Sequence, residues 1–332
     1  MQDMKRPMLA GVLVAATAAL APSTASAASI ALTVPGGTPT IAYTASPGEV
    51  NALAMHGTVG GGDDLRMPFF EYSAPLTVGA SCTGLLPTIC GFPDRAFPVT
   101  VALGDEDDVA STNSFTDDLA MDAGLGSDDV LAGGIDVSAD GGPGNDSVVL
   151  AANAVATGHG GSGRDKVFAG LGAAAAILTG GTGRDLLVPG GFAFNDAKGG
   201  SGGDTLVSFG GDGVTLAGES GSDVLVAPTG RNGITLDGDS GSDLAFSHVG
   251  GVTVHAGSGF DLVEVRGGDE TAPDTVTCGS EWDLVYADAD DDVADDCEFV
   301  VRRGEPPTLG RVTDAIAAAQ ALMAHRPDPA GV

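Results

Sequence analysis

The sequence predicts an all-β chain: a flattened parallel β-solenoid of ~19-residue coils, with a small β cap before it and a disulfide-closed cap after it. A glycine-rich turn ending in Asp recurs nine times, at Asp128, Asp146, Asp165, Asp185, Asp204, Asp223, Asp243, Asp261 and Asp283, with spacings of 18, 19, 20, 19, 19, 20, 18 and 22 residues. Two residues beyond each Asp stands Val130, Val148, Val167, Leu187, Leu206, Leu225, Ala245, Val263 or Val285, the inward position of a very short strand. Halfway along the period a second set of turns, such as "GGDGVTL", "RNGITL" and "GGVTV", introduces a β-branched strand without a matching Asp. Two turns and two strands make one coil. With 5% aromatic residues and 53 glycines, the apolar material is mostly Ala, Val and Leu, suited to a thin layered core.

In chain order, residues 1–27 read as a secretory signal: Lys5 and Arg6, the apolar run "MLAGVLVAATAAL", and a small-residue cleavage site at Ala25, Ser26 and Ala27. That run is shorter than the ~20 residues a membrane helix needs, and no later segment is longer, so no membrane span is expected. Residues 28–102 carry Pro, Thr and Tyr without the repeat and read as a β segment capping the first coil. The repeats occupy 103–285, opening on "GDEDDV", a worn first turn with Asp108 as its Asp. Residues 286–303 form an acidic cap. In 304–332, "EPPTLG" is a linker and "RVTDAIAAAQALMAHR" a short amphipathic helix. Four cysteines in an exported chain point to two disulfides with three possible connectivities; easy local closure favours Cys82 with Cys90 and Cys278 with Cys297.

The turns "GGSGRD", "GGTGRD" and "GGSGGD", each followed by an x-apolar-x strand, resemble the hemolysin-type calcium-binding nonapeptide repeat, whose fold is the parallel β-roll. The N-terminal "SCTGLLPTICGFP" and the C-terminal "CGSEWDLVYADADDDVADDCEFV" are similar to the ends of secreted actinobacterial calcium-binding repeat proteins. The resemblance implies calcium between the turns of neighbouring coils. Only alternate turns keep the Asp here, so the expectation is one column, along one edge, ligated by Asp128 through Asp283. Electrostatics point the same way. Coils stack at ~4.8 Å, and two carboxylates ~5 Å apart repel by ~3 kcal/mol at an effective dielectric of 20. Calcium accepts six to eight oxygens in irregular geometry, which glycine turns can supply as backbone carbonyls.

The net charge of −31, from 14 basic and 45 acidic residues, argues against nucleic acid or an anionic membrane as partner and for cations. Enzymatic signatures are missing: there is no Gly-x-Ser-x-Gly, no His-Glu-x-x-His and no Gly-Lys-Ser/Thr loop, and "GHGGSG" at 158–163 sits inside the repeat rather than opening a long helix. His56, His159, His248, His255 and His325 share no ligand spacing. In the last cap, Asp288, Asp290 and Asp292 imitate an EF-hand start, but Val293 and Phe299 stand where its turn Gly and bidentate Glu belong. The expected protein is therefore a secreted, non-enzymatic calcium binder. The alternative is an extracellular adhesin or surface-recognition solenoid, ice-binding included, suggested by Thr215, Thr235 and Thr253 on one strand face.

Overall fold

The computed structural model describes residues 28–33, 40–56, 58–59, 64–71, 76–78, 82–83, 88–93, 98–113, 118–229, 233–267 and 272–302. Residues 1–27, read above as a secretory signal, and the tail beyond 302 lie outside them. The described elements are all β, stacked coil on coil in parallel register. Each coil has a strand that follows the Asp turn, here face A, and a strand that leads into the next Asp turn, here face B.

Short apolar strands make the two faces because every second side chain points inward. On face A, Val148, Val167, Leu187, Leu206, Leu225, Ala245, Val263 and Val285 stand in one unbroken register column. On face B, Leu178, Ala197, Leu216, Leu236, Val254 and Val276 form the opposing column. All of these are buried in one continuous core. Each fully buried Val or Leu contributes about 1.5–3 kcal/mol. The small residues keep the core only two side chains thick, as the sparse aromatic content predicts.

The parallel stack runs past 103–285 at both ends. Thr40–Thr44 pairs in parallel with Val99–Ala102, and Ala52–His56 with Val109–Asn113, so a first coil already lies inside the N-terminal cap segment. Its repeat signature is hidden because Asn51 stands where later coils carry Asp. Between this coil and the next, the strands Asp64–Glu71, Cys82–Thr83 and Thr88–Pro93 pair antiparallel with one another, and before it Ala28–Thr33 runs antiparallel to Thr40–Thr44. This small antiparallel group is the N-terminal cap. Cys82 lies opposite Cys90 in its register, while their side chains fall outside the described residues. At the other end Asp292–Val293 and Phe299–Arg302 add a last short coil. The Cys278–Cys297 disulfide closes it.

Candidate functional site

Every Asp turn repeats the same local geometry. In "GGSGRD", Gly161 and Gly163 adopt φ of 110° and 136°, and a Cβ on Gly163 would stand 1.5 Å from the carbonyl oxygen of Gly144 in the coil before. Only glycine permits that approach. The chain then turns so that the Asp side chain points back into its own turn, and the next residues enter face A.

The nine predicted Asp residues come together in one column, and Asp108 extends it by one coil. All ten are buried. Each carboxylate reaches across the coil spacing: the Asp128 N–H donates to Asp146 Oδ1 at 2.9 Å, Asp146 to Asp165 at 2.8 Å, Asp165 to Asp185 at 2.8 Å and Asp185 to Asp204 at 2.8 Å. Asp204 to Asp223 and Asp223 to Asp243 follow at 2.7 Å, then Asp243 to Asp261 and Asp261 to Asp283 at 2.8 Å. Above the column, Asn51 donates its backbone and side-chain N–H groups to Asp108 Oδ1, while Tyr43 donates to Asn51 Oδ1. Below it, the Asp283 N–H donates to Glu298 Oε2. The ladder thus ends in an amide at one end and a carboxylate at the other.

One donor satisfies one oxygen. The second oxygen, Oδ2, of Asp128, Asp146, Asp165, Asp185, Asp204, Asp223, Asp243, Asp261 and Asp283 is buried and meets no donor. An ionised carboxylate in that position is expensive. Burial accordingly raises Asp128, Asp204 and Asp243 to about 7 and Asp165, Asp223 and Asp261 to about 6, and neighbouring carboxylates add to the rise. Asp146, Asp185 and Asp283 are raised for the same first reason. Arg184 sits near enough to Asp204 to oppose part of that shift, though it is exposed at the edge.

Oxygens converge beside Oδ2 of Asp146, Asp165, Asp185, Asp204 and Asp243. A methyl group placed on Gly160 would stand 2.6 Å from the Gly180 carbonyl oxygen of the next coil and 2.9 Å from Asp165 Oδ2, and the corresponding distances at Gly199 are 2.7 Å and 2.6 Å. The same pair of oxygens faces the first glycine of the turns at Gly141 and Gly180. Among the described residues no three His, Cys, Asp or Glu side chains gather as a metal-binding group. A cation here would draw on one carboxylate per turn and on backbone carbonyls, the donor set of a hard, oxygen-seeking ion. The orphaned oxygens and the adjacent carbonyls fit such an ion.

No family model matches this chain, and neither does a curated protein or a solved structure. The stacked coils and their Asp ladder place it among parallel β-solenoid repeat proteins by architecture alone.

The opposite edge holds residues that the repeat pattern did not reveal. Asp274 is buried, accepts the Val252 N–H at 2.8 Å and donates its own N–H to Asp291 Oδ1 at 3.0 Å. Asp291 Oδ2 in turn accepts the Asp288 N–H, so the Asp run that imitates an EF-hand serves as a hydrogen-bonded closing turn. The signal was available. Asp274 lies nine residues before Asp283, and the same offset from the preceding Asp residues falls on Asn195, Val214, Ile234 and Val252, an inward position usually apolar.

Proposed function

We propose that this is an exported calcium-binding β-roll, in which Asp128, Asp146, Asp165, Asp185, Asp204, Asp223, Asp243, Asp261 and Asp283, together with turn carbonyls, hold calcium ions along one edge. The observation that carries the reading is the row of buried, donorless Oδ2 atoms in register, one per coil. A proton or a cation must neutralise such a row, and a divalent ion shared between coils neutralises two carboxylates at once. The signal-like 1–27 segment and the Cys278–Cys297 disulfide support an oxidising destination outside the cell. The role is non-enzymatic: the ladder offers binding, without a nucleophile and base poised around a substrate-sized site.

Calcium would neutralise the column, and the chain's own residues do the rest. The Asp backbone N–H groups orient each carboxylate, and the glycines bring carbonyls close. Folding and binding are then linked. The surface-recognition alternative draws on Thr215, Thr235 and Thr253, which stand in register with Thr275 on the outside of face B. The next outward rank, His159, Thr179, Lys198, Ala217, Asp237, His255 and Thr277, is chemically mixed and does not make a second threonine array.

Calorimetric titration with calcium, with circular dichroism in parallel, tests the proposal. Several sites saturating together with a gain of β signal are expected, and magnesium at equal concentration should give little. A chain that binds no calcium and keeps its full β spectrum in chelator would refute it.

A further inference from the structure

The outside of face A is apolar and buried, and that is unexpected for a solenoid surface. Strand alternation turns Leu187, Leu206 and Leu225 into the core and their neighbours Val188, Val207 and Val226 outward. Yet Val188 is 1% exposed and Val207 and Val226 are 0% exposed, and with Phe168 and Val224 they form a second apolar cluster apart from the main core. Val149, Leu186, Phe209, Leu244 and Phe246 pack around it. The outward residues of face B behave as surface residues should: Ile177 is 44% exposed. Among the described residues, the principal packing neighbours of Thr205–Val207 are its ladder partners Leu186–Val188 and Val224–Ala227 and the strands Ala193–Gly202 and Asp212–Ser220 that lead into and out of it. None of these lies across the outer side.

We propose that the C-terminal segment 311–326 of the same chain lies as a helix along this stripe. Three features select it. First, its apolar residues Val312, Ile316, Ala319 and Met323 recur at helical spacing on one side, with Thr313, Gln320 and Leu322 at its margins, while Asp314 and His325 occupy the other, as a helix covering a surface requires. Second, the lengths agree: 16 residues of helix span ~24 Å, and the five stacked strands from Lys166–Ala169 to Leu244–Ser247 span ~19 Å. Third, the described chain ends at Arg302, on the last strand of this very face. The eight residues 303–310 reach up to ~26 Å, enough to turn back over Tyr286 and the buried Glu264–Arg266 pair and start the helix above Phe246. The leader's apolar run is a poorer occupant because it has no polar side to present to water.

Cysteine trapping tests this on the mature full chain, in calcium throughout. Val207→Cys stands mid-stripe and Ala319→Cys mid-helix on the apolar side, so mild oxidation should join 207 to 319 within one chain, read by unreduced peptide mapping. In the Val207→Cys chain alone, ending the chain after Arg303 should speed maleimide labelling at least tenfold, with circular dichroism unchanged. Ile316→Asp with Met323→Asp in the full-length chain should do the same, which keeps the test valid if the truncated chain folds poorly. A 207–319 bridge between two chains would assign the stripe to a second copy and overturn the proposal. So would absence of the bridge, or a thiol as protected without the segment as with it.

Discussion

The two edges of the solenoid obey different rules. Thr215, Thr235, Thr253 and Thr275, in register on face B, each lie eight residues before an Asp of the column, Asp223, Asp243, Asp261 and Asp283. From the preceding Asp to each of these threonines the count runs 11, 12, 10 and 14. All the irregularity of the repeat therefore falls on the edge without the ladder. The reason is mechanical. Each Asp touches the backbone of the coil before it, so the ladder propagates only through turns of identical shape. The other edge is held by local devices that need no repetition: Asn195 donates to the Gly191 and Gly210 carbonyls, Ser247 to Ala227 O and Thr229 to Phe209 O. Charge separates the edges as well. One edge buries nine donorless carboxylate oxygens, while across from it Asp274 accepts the Val252 N–H of the coil before, Asp291 accepts the Asp274 and Asp288 N–H groups, and neither is left with a buried donorless oxygen.

The comparison is sharpest when both edges are altered and calcium is varied. Asp204→Ala with Asp223→Ala removes two adjacent rungs, leaves two backbone N–H groups without acceptors and weakens three inter-coil spaces. Each lost acceptor costs about 1–3 kcal/mol and each site lost outright up to about 2.7 kcal/mol at hundredfold saturation, so a destabilisation on the order of 10 kcal/mol in calcium is expected, seen as a large rise in the calcium midpoint of folding. Next in size is a change of sign. Asp204→Asn keeps an acceptor for the Asp185 N–H and removes the buried charge, so it should stabilise the chelated chain by about 1 kcal/mol and destabilise the calcium-loaded one by more. Asp274→Asn, on the other edge, should shift both states alike. Paired thermal melts in chelator and in calcium read the difference, and equal responses of the two variants would erase the distinction between the edges.

Acidity offers a smaller test. Burial raises Asp128, Asp165, Asp204, Asp223, Asp243 and Asp261 in the folded chain to about 6 or 7, so between pH ~4 and ~7 the native state holds more protons than the unfolded chain. Metal-free stability should therefore fall as pH rises through that window and level off above it. Calcium competes with those protons, so its affinity should rise over the same range. Denaturant melts at pH 5 and pH 8, with and without calcium, give both signs.

Much of this architecture was legible in the sequence because a solenoid writes its period along the chain. The column from Asp128 to Asp283 and the inward Val and Leu two residues on followed from spacing alone, and the easy closure of Cys278 with Cys297 agreed with the disulfide found. The coil at 40–56 was hidden for a physical reason: an inserted antiparallel group separates its strands from the next coil, and Asn51 replaces the Asp that marks the turn. Asp274 was hidden because its rank is elsewhere apolar, so no repeat of carboxylates announced it. The buried outer side of face A was also missed. Phe168, Val188 and Val226 read as ordinary strand residues, and only their exposure distinguishes them.

The central claim is that cations sit along one edge only. Crystals grown in calcium, measured at a wavelength where calcium scatters anomalously, locate them directly. The account predicts anomalous peaks beside Asp165, Asp185, Asp204, Asp223 and Asp243, each near an Oδ2 and a turn carbonyl of the next coil, and none along the edge of Asn195 and Asp274. Peaks of equal height on both edges, or an Asp column without any, would contradict it.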